Sequence, residues 1–89
     1  DASAVGFVAV RLDREASIGE IYLIAVDPDH QRAGIGSALT TFALDWIKNA
    51  GMAAAMVETG GDPGHAPARR VYERAGFSQL PIARYFKKL

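Results

Sequence analysis

The 89-residue chain contains no cysteine, which excludes disulfide scaffolds, thiolate metal sites and cysteine nucleophiles. Neither sign of charge is in excess, since ten Lys and Arg balance ten Asp and Glu. That balance removes the electrostatic reason to expect nonspecific attraction to nucleic acid or to an acidic membrane surface. No apolar run approaches the roughly 18 residues that span a bilayer, and no signal-peptide pattern opens the sequence. Asp, Glu and His are too scattered to suggest a metal site, and no serine stands in a nucleophile elbow. The lack of disulfides fits a cytoplasmic location. Asp1-Ala2-Ser3 stands only a few residues ahead of a strand-like run, so a missing upstream segment is expected.

What the chain does hold is ordinary for a soluble globular protein, with 49% hydrophobic and 22% charged residues. Residues 1–89 make at most one small domain. A chain of this size buries roughly 60–65% of its unfolded surface, so its core needs help from elsewhere.

Val5 to Val10 is short, β-branched and aromatic, and reads as a strand ahead of a polar turn at Asp13, Arg14, Glu15 and Ser17. Glu20 to Val26 (EIYLIAV) is apolar at nearly every position, which predicts a strand buried on both faces. Asp27-Pro28-Asp29 ends it, because proline removes an amide donor and restrains the residue before it. The turn Gln31 to Gly36 then opens the strongest helix. Ile35, Leu39, Phe42, Ala43, Trp46, Ile47 and Ala50 recur at intervals of three and four, with Gly51 as the stop. Met52 to Thr59 predicts another strand, although alanine forms strands poorly. A glycine-rich loop, Gly60 to Gly64, precedes a second helix over about Ala66 to Ala75, with Pro67 in its first turn and Gly76 closing it. Phe77 to Leu89 reads as one strand, or two broken at Pro81. The alternation indicates a sheet covered by helices.

The turn before the first helix has a physical use. Unpaired amides at a helix N-terminus, with the positive end of the helix dipole behind them, hold phosphate groups. Gly34 and Gly36 keep side chains out of the way of such a ligand, and Arg32 would add a cation. A G-x-G turn by itself also serves as a tight connection in any α/β protein. It does not complete the phosphate loop G-x-x-x-x-G-K-[ST], and Leu39 stands where a dinucleotide fingerprint has its third glycine.

Ala25 to Leu39 (AVDPDHQRAGIGSAL) resembles the coenzyme-binding segment of GNAT acetyltransferases, whose pattern is Q/R-x-x-G-x-G/A directly after a strand. Gln31, Gly34 and Gly36 match it position for position. Ala68 to Phe77 (ARRVYERAGF) is similar to that family's helix ending in Y-x-x-x-G-F, and it comes in the right order and at the right distance. The resemblance implies an α/β fold with a mixed β-sheet flanked by helices, in the order β-β-α-β-α-β(β), lacking the family's usual N-terminal strand and helices. It implies transfer of an acetyl or other short acyl group from acetyl-CoA, as co-substrate, to a primary amine.

Several roles follow from the same resemblance. Amides of Gln31, Arg32, Ala33, Gly34, Ile35, Gly36 and Ser37 would hold the pyrophosphate. The backbone of Ile24, Ala25 and Val26 would pair with the pantetheine arm like an added strand, and an amide near Ala25 or Val26 would steady the oxyanion. Tyr72 matches the tyrosine that protonates the leaving thiolate. A phenol of pKa about 10 suits a thiolate of about 8.5, because the acid is still protonated at neutral pH. Glu20, on the central strand, is the candidate for the base that takes the amine's proton.

Each of these residues also has a plainer reading. Tyr72 lies on the apolar stripe of its helix and could simply pack, Arg32 could be a solvated cation, and Glu20 an exposed strand-end charge. His65 stands where the family commonly has asparagine against the pantetheine. It could replace that contact, cap the helix or titrate within the site. His30 reads as an exposed turn residue. GNAT domains are longer than this chain, which leaves a fragment, a small variant, or a half completed by another chain or by homodimerisation along the sheet edge at Val5 to Val10. A noncatalytic coenzyme A-binding or interaction module is the reading from a different class.

Overall fold

The computed structural model describes residues 6–30 and 34–89. Strand β1 (Gly6–Asp13) turns back into β2 (Ile18–Val26), and a short 3-10 turn (Pro28–His30) leads toward helix α1 (Ile35–Asn49). Strand β3 (Ala54–Val57) is followed by a second 3-10 turn (Pro63–His65) and helix α2 (Ala66–Arg74). The sheet order is β1-β2-β3, with β1 antiparallel and β3 parallel to β2. This is the mixed sheet with helices that the sequence predicts. No helix among the described residues is long and apolar enough to cross a membrane.

The hairpin is longer than expected, because Arg11, Leu12 and Asp13 continue the ladder against Glu20, Gly19 and Ile18. Val5, the expected first residue of β1, lies outside the described residues. Asp13 shapes the turn, its Oδ1 accepting the Ala16 amide at 3.0 Å. Ser17 then ties the start of β3 to the start of β2. Its carbonyl accepts the amides of Ala53 and Ala54 at 2.8 and 3.2 Å. Its hydroxyl oxygen accepts the Ala53 amide as well, at 2.9 Å.

The core is small and one-sided. Ile21, Ala43 and Ile47 are its buried apolar residues, with Val8, Val10, Ile24, Met52, Ala55, Val57 and Phe77 packed around them. Thr40 is buried too, and its hydroxyl donates to the Gly36 carbonyl at 2.8 Å, which meets the requirement that a buried polar group be paired. The apolar stripe of α1 is therefore centred on Thr40, Ala43 and Ile47 rather than including Phe42 and Trp46. Those two are 64% and 48% exposed and lean toward Val8 and Val10 of β1, the strand that ends the sheet.

Three other expectations need correction. The run from Glu20 to Val26 is not buried on both faces, since Tyr22 and Leu23 are about half exposed. Phe77 and α1 pack on the Ile21 face, and among the described residues nothing covers the opposite face, where Phe7 and Met56 also lie open. Strand β3 is shorter than Met52 to Thr59, because its parallel pairing reaches only from Ile18↔Ala54 to Ile21↔Val57. No strand forms from Phe77 to Leu89. A strand needs a partner backbone, and residues 78–89 remain exposed, held by Arg84 donating to Glu58 at 3.1 Å.

Both helices end alike. In α1 the amide of Gly51 (φ 87°) bonds the Lys48 carbonyl at 3.0 Å, and that of Met52 bonds Ile47 at 3.4 Å. In α2 the amide of Gly76 (φ 97°) bonds Glu73 at 3.1 Å, and that of Phe77 bonds Tyr72 at 3.0 Å. This is the Schellman arrangement, in which a left-handed residue reverses the chain and an apolar residue beyond it packs back on the last turn. Tyr72 and Phe77 make that contact edge to face, with ring centres 6.0 Å apart. The spacing Y-x-x-x-G-F is thus first of all a helix stop.

Candidate functional site

Gly34 is the N-cap of α1 at φ 78° and ψ 10°, a left-handed conformation that a residue with a side chain adopts only with strain. The first intrahelical bond runs from the Ala38 amide to the Gly34 carbonyl at 3.0 Å, so the amides of Ile35, Gly36 and Ser37 belong to the helix's open first turn. Among the described residues no side chain caps them, and no acidic residue stands in that turn. Among the described residues, a Cβ built at Gly34 or Gly36 would meet nothing within 4 Å. An anion is the natural ligand of such an end. Gln31, Arg32 and Ala33, expected to share in the same cradle, lie outside the described residues.

The end of β2 lies beside this helix terminus. Gly6 pairs with Val26, and a Cβ built on Gly6 would stand 2.9 Å from the Ala25 carbonyl oxygen and within 3.3 Å of the Ile35 and Leu39 side chains. The first turn of α1 therefore roofs the last residues of β2. Ile24, Ala25 and Val26 pair along one edge with Val8, Phe7 and Gly6. The other edge lost β3 at Ile21, and among the described residues no strand replaces it. Two parallel strands thus part into a fork, and one wall of the fork carries unpaired backbone groups able to accept an extended ligand.

A β-bulge marks the start of the fork. Ala9 pairs with Leu23 but Val10 pairs with Ile21, so Tyr22 has no partner. The extra residue turns Ile24 onto the same face as Ile21, where it joins the core. The continuous apolar run EIYLIAV hid this bulge, because no alternation was present to be broken.

Helix α2 follows the second wall of the fork. Tyr72 is half-buried, and burial raises its phenol pKa above the usual value, so the proton is held still more firmly at neutral pH. Its side chain also serves the helix stop. His65 does not cap α2 with its ring. Its Nδ1 instead lies 2.7 Å from Oδ1 of Asp62, and that contact, foremost among several, holds the Asp62 carboxyl below its ordinary range. The pair explains one glycine of the loop. A Cβ on Gly60 would collide with the Asp62 carboxylate and would stand 2.7 Å from His65 Nδ1. Arg69, one turn into α2, fastens the loop by donating to the carbonyls of Gly60 and Asp62, the latter at 2.8 Å.

Glu20 lies on the sheet face turned away from α1. Its Oε1 accepts from Arg11 Nε at 2.9 Å, and the same guanidinium stands 4.6 Å above the Tyr22 ring. The structure therefore brings together the end of β2 and the start of α1, and sets His65 at the N-cap of α2 with Tyr72 seven residues on within that helix. It leaves Glu20 in an ion pair of its own. Asp62 and Arg69 were not singled out in the sequence. A signal for Asp62 was present, since Asp62-Pro63-x-His65 repeats the pattern Asp27-Pro28-x-His30.

Residues 1–77 match the Acetyltransferase (GNAT) family. The chain belongs to that family. It is 38% identical over 77 residues to a mycothiol acetyltransferase of Streptomyces coelicolor, an alignment covering 86% of this chain and 24% of that protein. The fold is similar to a GNAT-family protein from Desulfovibrio desulfuricans, with TM-score 0.79, 34% identity, and coverage of 88% of this chain and 50% of that one. It is also similar to the ribosomal-protein-S18-alanine N-acetyltransferase of Escherichia coli, with TM-score 0.74, 30% identity, and coverage of 85% and 46%. The chain thus spans about a quarter of that curated relative and about half of these solved GNAT structures.

Proposed function

We propose that this chain carries the coenzyme half of an N-acetyltransferase, which transfers an acetyl or other short acyl group from acetyl-CoA to a primary amine. The observation that carries the reading is the fork. Among the described residues, no side chain caps the terminus of α1, and it lies against a strand end whose outer edge no strand pairs. That combination suits a ligand with an anionic diphosphate joined to an extended, amide-bearing arm. The amides of Gly34 to Ser37, with Gln31, Arg32 and Ala33 ahead of them, would hold the diphosphate. The edge of Ile24, Ala25 and Val26 would hold the arm, and an amide at its end would receive the oxyanion. Tyr72 would protonate the departing thiolate. His65 would touch the arm, and Glu20 is the carboxylate considered for the amine's proton.

The acceptor is an amine, and a cytoplasmic setting goes with the supply of acetyl-CoA. A noncatalytic coenzyme A-binding or interaction module is the second reading, favoured by the open sheet face at Phe7, Tyr22, Leu23 and Met56. Homodimerisation or completion by another chain would cover such a face.

Calorimetric titration of the 89-residue chain with acetyl-CoA tests the site. Gly36→Glu is a better control than a change at Gly34, because position 36 is helical and open whereas position 34 needs a left-handed backbone. Saturable binding that Gly36→Glu loses supports the site, and acetyl transfer to a panel of amines then separates the enzyme from the binding module. No binding by the folded parent would refute the reading.

A further inference from the structure

We propose that the Asp62–His65 pair, rather than Glu20, takes the proton from the attacking amine, with His65 Nε2 as the acceptor and Asp62 as its positioning residue. The inference rests on the acyl-transfer reading above and concerns the same site. Glu20 is poorly suited to the task. Its carboxylate is already engaged by Arg11 at 2.9 Å, and it lies on the sheet face away from α1.

His65 meets the requirements of a base more fully. An ionised carboxylate only accepts hydrogen bonds, so at neutral pH the 2.7 Å contact with Asp62 requires the proton to be on Nδ1. In the neutral ring the Nε2 lone pair is then free. The ring is about half exposed, so a substrate can reach it. Its orientation is fixed from three sides. Asp62 holds Nδ1, Gly60 leaves room for the pair where any side chain would collide with it, and Arg69 clamps the carbonyls of Gly60 and Asp62. Asp62 contacts the ring directly, Arg69 bonds the loop's carbonyls, and the Glu58–Arg84 pair stands at the start of the loop.

Its position agrees with its role. The loop begins at the carboxyl end of β3, where that strand parts from β2 at Ile21 and the fork opens, and ligands of open α/β sheets bind beyond the carboxyl ends of strands. His65 is the N-cap residue of α2 and Tyr72 follows seven residues later within that helix, so both are presented by the same short segment.

The step balances with these two groups. The amine lone pair forms the C–N bond, and the C–S bond breaks with its electron pair going to sulfur. The nitrogen, made acidic by bond formation, gives its proton to His65 Nε2, while the Tyr72 phenol gives its own to the thiolate. A proton passing from the imidazolium to the phenolate restores both groups.

The experiment compares the parent chain with His65→Asn, Asp62→Asn and His30→Asn. It measures acetyl-CoA affinity by calorimetry, the pH profile of amine acetylation, and histidine tautomers by nitrogen-resolved NMR. The expected result is a His65 ring protonated at Nδ1, with signals that move when acetyl-CoA is added. His65→Asn should lower kcat by about 10²–10⁴, remove the acid limb that an imidazole imposes, and leave Kd within about threefold. Asp62→Asn should lower kcat by a smaller factor and release the tautomer, and His30→Asn should change neither.

An unchanged acid limb in His65→Asn would overturn the proposal. So would a Kd that rises as far as kcat falls, which is the mark of a contact, or a ring protonated at Nε2. The NMR arm needs no turnover, so a parent that binds acetyl-CoA without moving the His65 signals also overturns it. Failure of the wider reading looks different, because the folded parent would then not bind acetyl-CoA at all.

Discussion

The chain uses one local plan twice. A strand ends, an Asp-Pro-x-His turn follows, and a helix runs to a glycine stop with an apolar residue beyond it. The two versions differ at the histidine. In the first turn Asp27 spends its Oδ1 on the Asp29 amide at 2.9 Å, and His30 stays 3.8 Å from it. In the second, Asp62 and His65 meet at 2.7 Å, and the Asp62 carboxyl is held below its ordinary range. The helices differ as well. Helix α1 contributes Thr40, Ala43 and Ile47 to the buried core, whereas α2 contributes no buried residue. The first unit builds the scaffold and presents backbone amides, and on the proposal above the second presents the side chains that exchange protons. The same local grammar thus serves two kinds of chemistry, depending on what packs against it.

The sharpest way to break this division is Tyr72→Phe. Phenylalanine keeps the contact with Phe77 that stops the helix, so stability should hardly change, while removal of the phenol should lower kcat by about 10²–10⁴ with acetyl-CoA affinity retained. Equal turnover by the Phe variant would reduce Tyr72 to its part in the helix stop.

In the first unit, Gly36→Glu should act on binding alone. A carboxylate about 4 Å from a phosphate costs roughly 4 kcal/mol at an effective dielectric of about 20, or about a thousandfold in Kd by calorimetry. A variant that binds normally would move the anion away from this helix end.

The scaffold role is checked by denaturant unfolding. Ile47, 2% exposed at the centre of the core, should cost about 2–5 kcal/mol when changed to Ala. Val71→Ala on the half-buried face of α2 should cost clearly less. Comparable costs would mean that both helices carry the core.

The smallest effect concerns pH. A carboxyl whose folded pKa is depressed contributes stability above its unfolded value, near 3.9, and that contribution disappears as pH falls through the folded value. Asp62 is fully exposed, so the change should be slight and confined to acid. Its NMR titration midpoint should lie below the ordinary carboxyl value and return toward it in His65→Asn. A midpoint that ignores His65 would dissolve the difference between the two turns.

Much of this was legible in the residues. The two helices, the glycine stops and the left-handed Gly34 that opens α1 showed in spacing and composition, because helix periodicity and left-handed glycines are local properties. The bulge at Tyr22 did not show, since a run with no polar residue between Ile21 and Val26 carries no alternation to interrupt. Phe77 to Leu89 misled for a related reason. Its residues favour a strand, but strand formation requires a partner edge.

The sequence by itself determined the order of elements as far as α2, where the helices start and stop, and the motif pair that marks a GNAT chain. Those features depend on backbone conformations and hydrogen bonds between residues a few positions apart. Tertiary structure alone decided that β3 leaves β2 at Ile21 and opens the fork, and that among the described residues one sheet face stays uncovered. It also drew Glu20 into a pair with Arg11, and Arg69 onto the loop that holds Asp62 and His65. Each of these depends on which surfaces meet in space, and no local pattern encodes that.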